Sequence, residues 1–226
     1  MPHEVILSIE SIGDDSPIPV DSGAQLLSPV EMEKANSFRF QIHRKRYIRG
    51  RALLRTKLGR LLNSSASEIV IEEEKRGKPF VPGSNLSFNL SHSEDLAMFA
   101  FSNSLARLGV DIERFDRDSD IEGLSEHCFT PRECRELQEL PRAERRVLFF
   151  RIWTAKEARM KLTGEGMHLE PREIELTFSK GIPSGFHKPF PGGEILEALQ
   201  YSEHGAVGSI VADQAFKVQP MLSFPA

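Results

Sequence analysis

The stretch LGVDIE, at residues 108–113 of a 226-residue chain, alternates apolar and polar side chains and contains two carboxylates two positions apart. Successive side chains of a β-strand point to opposite faces, so Asp111 and Glu113 should share one face of a strand. Two carboxylates on one face repel each other unless a cation lies between them, and oxygen ligands favour Mg²⁺ or Mn²⁺ over zinc. The stretch therefore predicts a strand whose acidic face either binds a divalent cation or is simply solvated.

Charge is divided unevenly along the chain, although the formal net charge is only −4. Residues 34–67 contain no Asp or Glu and ten basic residues, whereas residues 111–126 contain seven acidic residues against two arginines. A basic and an acidic segment suit an anion and a metal cation that meet between them, or are two unrelated solvated faces. The negative net charge disfavours a dedicated nucleic-acid binder.

Composition excludes several protein classes. The apolar stretches are far shorter than the roughly 20 residues of a membrane-spanning helix, and no basic region followed by an apolar one begins the chain. Cys128 and Cys134 are the only cysteines, too few for a disulfide framework or a cysteine-rich zinc site. We therefore expect a cytoplasmic protein with no membrane and no nucleic acid among its partners.

Periodicity predicts an α+β protein. Residues 29–62 carry helical apolar spacing, and we expect Gly50 and Gly59 to divide that segment into two helices. A loop rich in Pro and Gly is expected at residues 181–193. Strands are predicted over residues 4–10, 68–72, 85–90, 96–102, 108–113, 173–178, 194–201 and 206–212, and further helices over 131–140 and 142–163. Each half then has a long helix before strands, which indicates two similar halves, residues 1–106 and 107–226.

The segment WTAKEARMK at residues 153–161 lies in the second long predicted helix. Trp153, Glu157 and Lys161 are spaced by four residues and share one helix face. Glu157 could supply a third carboxylate and Lys161 a cation one turn further on. The alternative is a surface Glu–Lys pair beside a core tryptophan.

The segment NLSHS at residues 89–93 ends a predicted strand with small hydroxyls and a histidine. On a turn, Ser91 and His92 would offer hydrogen-bond donors to a phosphate, although a single histidine is more often structural. The chain has no P-loop, GxSxG, HExxH or GxGxxG motif. The residues alone leave open a magnesium-dependent nucleotide phosphohydrolase and a non-catalytic anion-binding module that uses the basic helix at residues 39–60.

In their order and spacing these segments resemble the Sfp-type 4′-phosphopantetheinyl transferases. The matching motifs are RYxxGR at 46–51, GKP at 77–79, FNLSHS at 88–93, GVDIE at 109–113, FTxxE at 129–133 and WTAKEAxxK at 153–161. The resemblance implies two similar α+β halves related by pseudo-two-fold symmetry in one monomer, with coenzyme A between them.

The resemblance also implies roles for single residues. It implies metal ligands at Asp111, Glu113 and Glu157 for Mg²⁺, with Mn²⁺ as a substitute. It implies coenzyme A contacts at Lys34, Arg46, Arg51, Lys78, Ser91, His92, Lys156 and Lys161. Glu157 and Glu133 are the two candidate bases that would activate the acceptor, and Lys161 is expected to act at the phosphates. One position departs from the family pattern, because Glu31 stands where a lysine is common.

The implied reaction transfers the 4′-phosphopantetheine arm of coenzyme A to a serine of an acyl or peptidyl carrier protein and releases adenosine 3′,5′-bisphosphate. This is the reaction of the holo-[acyl-carrier-protein] synthase type. Carriers of fatty-acid, polyketide, peptide and siderophore pathways all remain open as acceptors.

Overall fold

The structure, a computed structural model, describes residues 3–116, 119–164, 169–187, 197–203 and 205–221. The helices in these ranges are α1 Val20–Ala24, α2 Pro29–Ser37, α3 Gln41–Leu62, α4 Ile121–Cys128, α5 Pro131–Glu139 and α6 Arg142–Thr163. The strands are β1 His3–Ser11, β2 Glu72–Glu73, β3 Pro79–Phe80, β4 Ser87–Ser93, β5 Leu96–Ser102, β6 Leu108–Arg114, β7 Leu176–Ser179, β8 Ile182–Phe186, β9 Glu197–Glu203, β10 Ala206–Ala212 and β11 Phe216–Pro220. The predicted α+β class is confirmed.

Two sheets carry most of the strands. The first sheet has the order β11-β1-β5-β4, in which only β11 and β1 are parallel, and the second has the antiparallel order β6-β10-β9-β8-β7. Strands β2 and β3 form a separate two-stranded ribbon. The division at residue 106 stays a prediction, and the sheets do not follow it completely because β11, near the end of the chain, completes the first sheet.

Hydrophobic packing arranges the described part of the chain in four layers. Val5 and Met98 of the first sheet pack against Val110 and Ile210 of the second, so the sheets face each other. The outer face of the first sheet packs on α3, and the outer face of the second packs on α5 and α6. Each long helix therefore covers one sheet, and the two sheets meet between them. None of the helices in the described ranges is long and apolar enough to cross a bilayer.

The helical segment predicted over residues 29–62 is indeed two helices, but the predicted break was wrong. The chain leaves the helix between α2 and α3, at residues 38–40, and both Gly50 and Gly59 lie inside α3. A helical glycine costs only about 1 kcal/mol relative to alanine, which the packing of a 22-residue helix exceeds. Gly59 is also needed sterically, because a Cβ there would lie 2.7 Å from the carbonyl oxygen of Ser64.

Strand β4 extends further than the sequence predicted. It continues to Ser93, and the turn follows at Glu94, whose φ is +50°. Ser91 and His92 therefore lie in the strand and not on the turn after it. On a strand, Asn89, Ser91 and Ser93 share one face, because side chains alternate.

Other predicted boundaries also differ. The strand expected over residues 68–72 is reduced to β2, and β8 occupies part of the predicted loop at residues 181–193, of which 188–193 lie outside the described residues. Helices α1 and α4 and strand β11 were not predicted. They are all short, and short elements carry little periodicity of their own.

Candidate active site

Strand β6 lies at the edge of the second sheet and presents its two faces as predicted. Val110 and Ile112 are buried in the core between the sheets. Asp111 points the other way, toward α6, where its Oδ1 lies 2.6 Å from the Nζ of Lys161. The alternation in the LGVDIE stretch therefore separates a structural face from a polar face.

Gly109 explains how α6 reaches this strand. A Cβ on Gly109 would lie 2.1 Å from the carbonyl oxygen of Ala158 and 2.6 Å from the amide nitrogen of Leu162. Backbone therefore packs directly on backbone at this point, which only glycine permits. The contact fixes the distance between β6 and the turn of α6 that carries Glu157 and Lys161.

Asp111 is the most enclosed carboxylate of the site, with 4% of its surface exposed. Its Oδ1 accepts hydrogen bonds from the Oγ of Ser91 at 2.7 Å and from the Nζ of Lys161 at 2.6 Å. Its Oδ2 is buried and has no hydrogen-bond partner within the described part of the chain. A buried carboxylate oxygen without a partner is costly, so it marks a position that a cation would satisfy.

Two further carboxylates lie near Asp111. Glu113 is half-buried and accepts a hydrogen bond of 2.5 Å from the Oγ of Ser93. Burial raises the pKa of Glu157, and the nearby charges of Asp111 and Glu113 raise it further. Asp111 and Glu113 therefore lie close enough to Glu157 for their charges to disfavour its ionisation.

The fit of a divalent cation rests on the unpartnered Asp111 Oδ2. In the ranges that the structure describes, no group of three or more His, Cys, Asp or Glu side chains is arranged to hold a metal ion. Lys161 instead lies against Asp111 and offsets part of its charge. Asp111, Glu113 and Glu157 supply the all-oxygen donor set that Mg²⁺ and Mn²⁺ prefer.

Three cationic or polar groups border the carboxylates. The side chain of Lys161 is 30% exposed, and His92 is exposed at the end of β4. Desolvation lowers the pKa of His92, and the charges of Lys161 and Arg46 lower it further. Arg46 contacts Glu94 at 2.9 Å. His92, Arg46 and Lys161 therefore form a polar rim, defined by these three residues, beside the acidic cluster.

Two other predicted coenzyme A contacts lie on α2 and α3. Lys34 is exposed, with its Nζ 5.7 Å from the centre of the Tyr47 ring. Arg51 is engaged by Glu31, with Nε 2.7 Å and Nη2 2.5 Å from the same carboxylate oxygen. Lys34 thus remains accessible, whereas Arg51 is held in an ion pair with the residue that departs from the family pattern.

The contact of Lys78 with coenzyme A stays a prediction, and in the structure this side chain binds backbone carbonyls. Its Nζ donates to the carbonyl oxygens of Leu108 at 2.9 Å, Lys161 at 3.1 Å and Leu162 at 2.9 Å. An ammonium has three hydrogens, so these acceptors use all of them and leave none for a phosphate. Lys78 instead joins the loop before β3 to the end of α6, and burial lowers its pKa to about 8.

Lys156 and Glu133 belong neither to the acidic cluster nor to the polar rim. Lys156 is 1% exposed, and its Nζ lies 2.6 Å from Glu133 and donates to the carbonyl oxygens of Cys128 and Pro171. Glu133 is fully buried and also accepts from the backbone N–H groups of Thr130 and Leu176. The structure therefore encloses both side chains in contacts within the protein, and the roles of Lys156 at coenzyme A and of Glu133 at the acceptor stay predictions.

Two residues that hold the site were not predicted from the sequence. Asn89 accepts a hydrogen bond from the backbone N–H of Val110, and Ser93 contacts Glu113. Both belong to the NLSHS segment, in which only Ser91 and His92 were assigned roles. Their polar i, i+2, i+4 pattern was the available signal, but it requires β4 to extend through Ser93.

Family models match both halves of the chain. A model described as the 4′-phosphopantetheinyl transferase superfamily matches residues 107–210, and one described as 4′-phosphopantetheinyl transferase, N-terminal, matches residues 19–104.

Individual proteins are also similar. The chain is 42% identical over 159 residues to 4′-phosphopantetheinyl transferase HetI of Nostoc sp., covering 68% of this chain and 67% of the relative. It is 35% identical over 147 residues to 4′-phosphopantetheinyl transferase psf-1 of Bacillus pumilus, covering 63% of this chain and 61% of the relative. Among solved structures, a holo-(acyl-carrier-protein) synthase from Bacillus anthracis in complex with CoA aligns with a TM-score of 0.43 at 17% identity, over 49% of this chain and 97% of that one.

Proposed function

The chain belongs to the 4′-phosphopantetheinyl transferase superfamily, and on that premise we propose that it transfers the 4′-phosphopantetheine arm of coenzyme A to a serine of a carrier protein. The observation that carries the proposal is the meeting of the Asp111–Glu113–Glu157 cluster with the polar rim of His92, Arg46 and Lys161. A pyrophosphate substrate needs both a cation site and donors around its oxygens.

We assign the cation site to Mg²⁺, with Mn²⁺ as a substitute, held by the three carboxylates. When bound, the ion would polarise the pyrophosphate and offset the charge on the leaving phosphate. Among the contacts of the described residues, Lys161 uses two of its ammonium hydrogens, one on Ser91 and one on Asp111. The third hydrogen remains for a phosphate oxygen. The exposure of 30% of its side chain supports this contact with a ligand.

Glu157 is the proposed base. The carrier serine Oγ attacks the phosphorus that bears the pantetheine arm, the bond to the adenylate phosphate breaks, and the serine proton passes to Glu157. Glu157 suits this role by its place among the carboxylates beside the proposed cation position. Glu133 is disfavoured in this role because its oxygens are enclosed by Lys156 and two backbone amides.

We further propose that one chain forms the complete site and that the enzyme acts as a monomer. Ser91 and His92 come from the first predicted half, whereas Asp111 and Lys161 come from the second. Specific activity should then be constant on dilution. Activity that falls in step with dissociation of a dimer would contradict this.

The decisive experiment measures the mass of purified apo-carriers after incubation with the protein, coenzyme A and Mg²⁺. Transfer adds one phosphopantetheine group to the carrier and releases one bisphosphate, and a carrier whose acceptor serine is replaced by alanine should stay unmodified. Release of bisphosphate without a carrier would support the phosphohydrolase instead. Absence of both, with coenzyme A bound, would support the anion-binding module. A panel of carriers then identifies the acceptor pathway.

A further inference from the structure

We propose that Ser93 and Ser91 are positioning residues, each using its single hydroxyl proton to hold one oxygen of a β6 carboxylate and so turn the other oxygen toward the cation position. This inference rests on the cation site of the proposed function. It differs from the role that the family resemblance implies for Ser91, because the hydroxyl then contacts no substrate.

The geometry determines the direction of the Ser93 proton. Ser93 is buried, and its Oγ accepts a hydrogen bond of 3.1 Å from the backbone N–H of Arg114. The same Oγ lies 2.5 Å from Glu113 Oε2. Because an amide can only donate and a carboxylate can only accept, the hydroxyl proton must point to Glu113.

Ser91 repeats this arrangement two residues earlier. Its Oγ accepts from the Nζ of Lys161 at 2.8 Å and donates to Asp111 Oδ1 at 2.7 Å. An ammonium has no lone pair, so the hydroxyl proton is again committed to the carboxylate. The Oδ1 of Asp111 is thereby occupied, and the unpartnered oxygen is Oδ2.

Asn89 keeps the two strands in register. Its Oδ1 accepts from the backbone N–H of Val110 at 2.9 Å, and Ser93 accepts from that of Arg114. Strands β4 and β6 are the edges of different sheets, so side chains of β4 bind outward N–H groups of β6 in place of a neighbouring strand. The junction of the two sheets therefore also orients the carboxylates.

Side chains that bind metal ligands from behind usually change metal affinity by about 10- to 100-fold when removed. Ser93 offers the cleaner test, because Ser91 also contacts Lys161. Ser87 provides a matched control: it lies on the same face of β4, but its Oγ donates to the backbone carbonyl of Ala106. Both serines can be replaced by alanine with the same loss of one hydroxyl.

The experiment measures Mn²⁺ binding by the loss of the free-ion electron paramagnetic resonance signal, with saturating coenzyme A and no carrier. We expect Ser93→Ala to raise the Mn²⁺ dissociation constant about 10-fold or more, whereas Ser87→Ala stays within twofold of the wild type. Ser93→Thr, which retains the hydroxyl, should recover most of the affinity. Circular dichroism of each variant identifies any that fails to fold, and if Ser93→Ala does so, Ser91→Ala, which removes the equivalent hydroxyl from Asp111, carries the comparison with Ser87→Ala.

The outcomes separate the two proposals. Wild-type protein that binds Mn²⁺, with Ser93→Ala binding equally well, would overturn the positioning role and leave the cation site standing. Equal weakening by Ser93→Ala and Ser87→Ala would also overturn it, since the effect would come from the strand and not from Glu113. Wild-type protein that binds no Mn²⁺ would overturn the cation site and this inference with it.

Discussion

The segments SPVE at residues 28–31 and TPRE at residues 130–133 fold in the same way in the two halves of the molecule. Each forms a capping box, with proline in the first helical turn and the glutamate at the third position. Each glutamate then turns inward to the following long helix, Glu31 to Arg51 and Arg55, and Glu133 to Lys156.

The halves differ in a second ion pair, which joins the first strand of each half to the long helix of that half. In the first half, Lys57 of α3 lies 2.7 Å from Glu10 of β1 and has no exposed surface. In the second half, Lys161 of α6 lies 2.6 Å from Asp111 of β6 and keeps 30% of its side chain exposed.

The difference teaches that ion pairing alone does not mark a reactive group. Lys57 also donates to Ser8, and the sulfur of Met221 lies 3.8 Å from its Nζ. Lys161 lies instead beside an unpartnered carboxylate oxygen and two further carboxylates. The same kind of pair is therefore enclosed in the first half and partly exposed in the second, where we propose that a ligand binds.

The largest predicted effect tests the two capping boxes. Glu133→Ala should reduce the free energy of unfolding by roughly 3 to 5 kcal/mol, because it leaves the buried Lys156 without a counter-charge. Glu31→Ala should cost less, since Arg55 keeps the carbonyls of Ala66 and Ile69 as acceptors. Urea unfolding measures both, and Lys156→Met added to Glu133→Ala should restore stability. A larger cost for Glu31→Ala would contradict the contrast.

The next prediction tests the two strand–helix pairs. Asp111→Asn should lower kcat/KM for carrier loading by roughly 10²- to 10³-fold, because the proposed cation site loses an anionic ligand and holds the cation less tightly. Glu10→Gln removes the matching charge from the first half and should leave the rate of the folded enzyme within twofold of the wild type. A comparable loss in both variants, with both folded, would mean that the first-half pair also serves catalysis.

A smaller effect is expected at His92, which the first half contributes to the polar rim. His92→Ala should raise KM for coenzyme A about tenfold through one lost hydrogen bond to a charged group, with kcat retained at saturation. Because the pKa of His92 is lowered from 6.5, the ring is neutral above that pH. The loss in kcat/KM should therefore be equal at about pH 7.0 and about pH 8.5, because both values lie above the pKa of His92. A fall in kcat alone would assign His92 to proton transfer.

The last prediction concerns Lys78, which joins the halves. Its pKa is lowered from 10.5 to about 8, so between those values the unfolded chain binds more protons than the folded one and stability rises with pH. The free energy of unfolding of the wild type, minus that of Lys78→Met, should thus increase as pH rises through this window. Urea unfolding at both ends measures it, and an unchanged difference would mean that the ammonium is not desolvated.

Much of the site follows from short-range patterns. Alternation in a strand is a property of the backbone, so residues 108–113 by themselves separate Asp111 from Val110. The spacing of four residues likewise places Glu157 and Lys161 on one helix face. These relations involve neighbours in sequence and need no knowledge of the remaining chain.

Short-range patterns do not show which of the charged side chains faces a ligand. Lys156 and Glu157 are adjacent, and sequence alone distinguishes them only by their angle around α6. The enclosure of Lys156 depends on Glu133 and on the carbonyl of Pro171, which the chain brings from other elements. Lys78 is similar, since its three acceptors lie 30 to 84 residues away.

The sequence by itself determined the α+β class, the two carboxylates on one face of a strand and the carboxylate and cation on one face of a helix, because local backbone geometry produces each of them. Only the tertiary structure decided which charged side chains were left with capacity for a ligand. That choice depends on the hydrogen-bond acceptors and donors that distant segments supply. Only after the chain has folded does a lysine whose three hydrogens are already bound differ from one that keeps a hydrogen for a ligand.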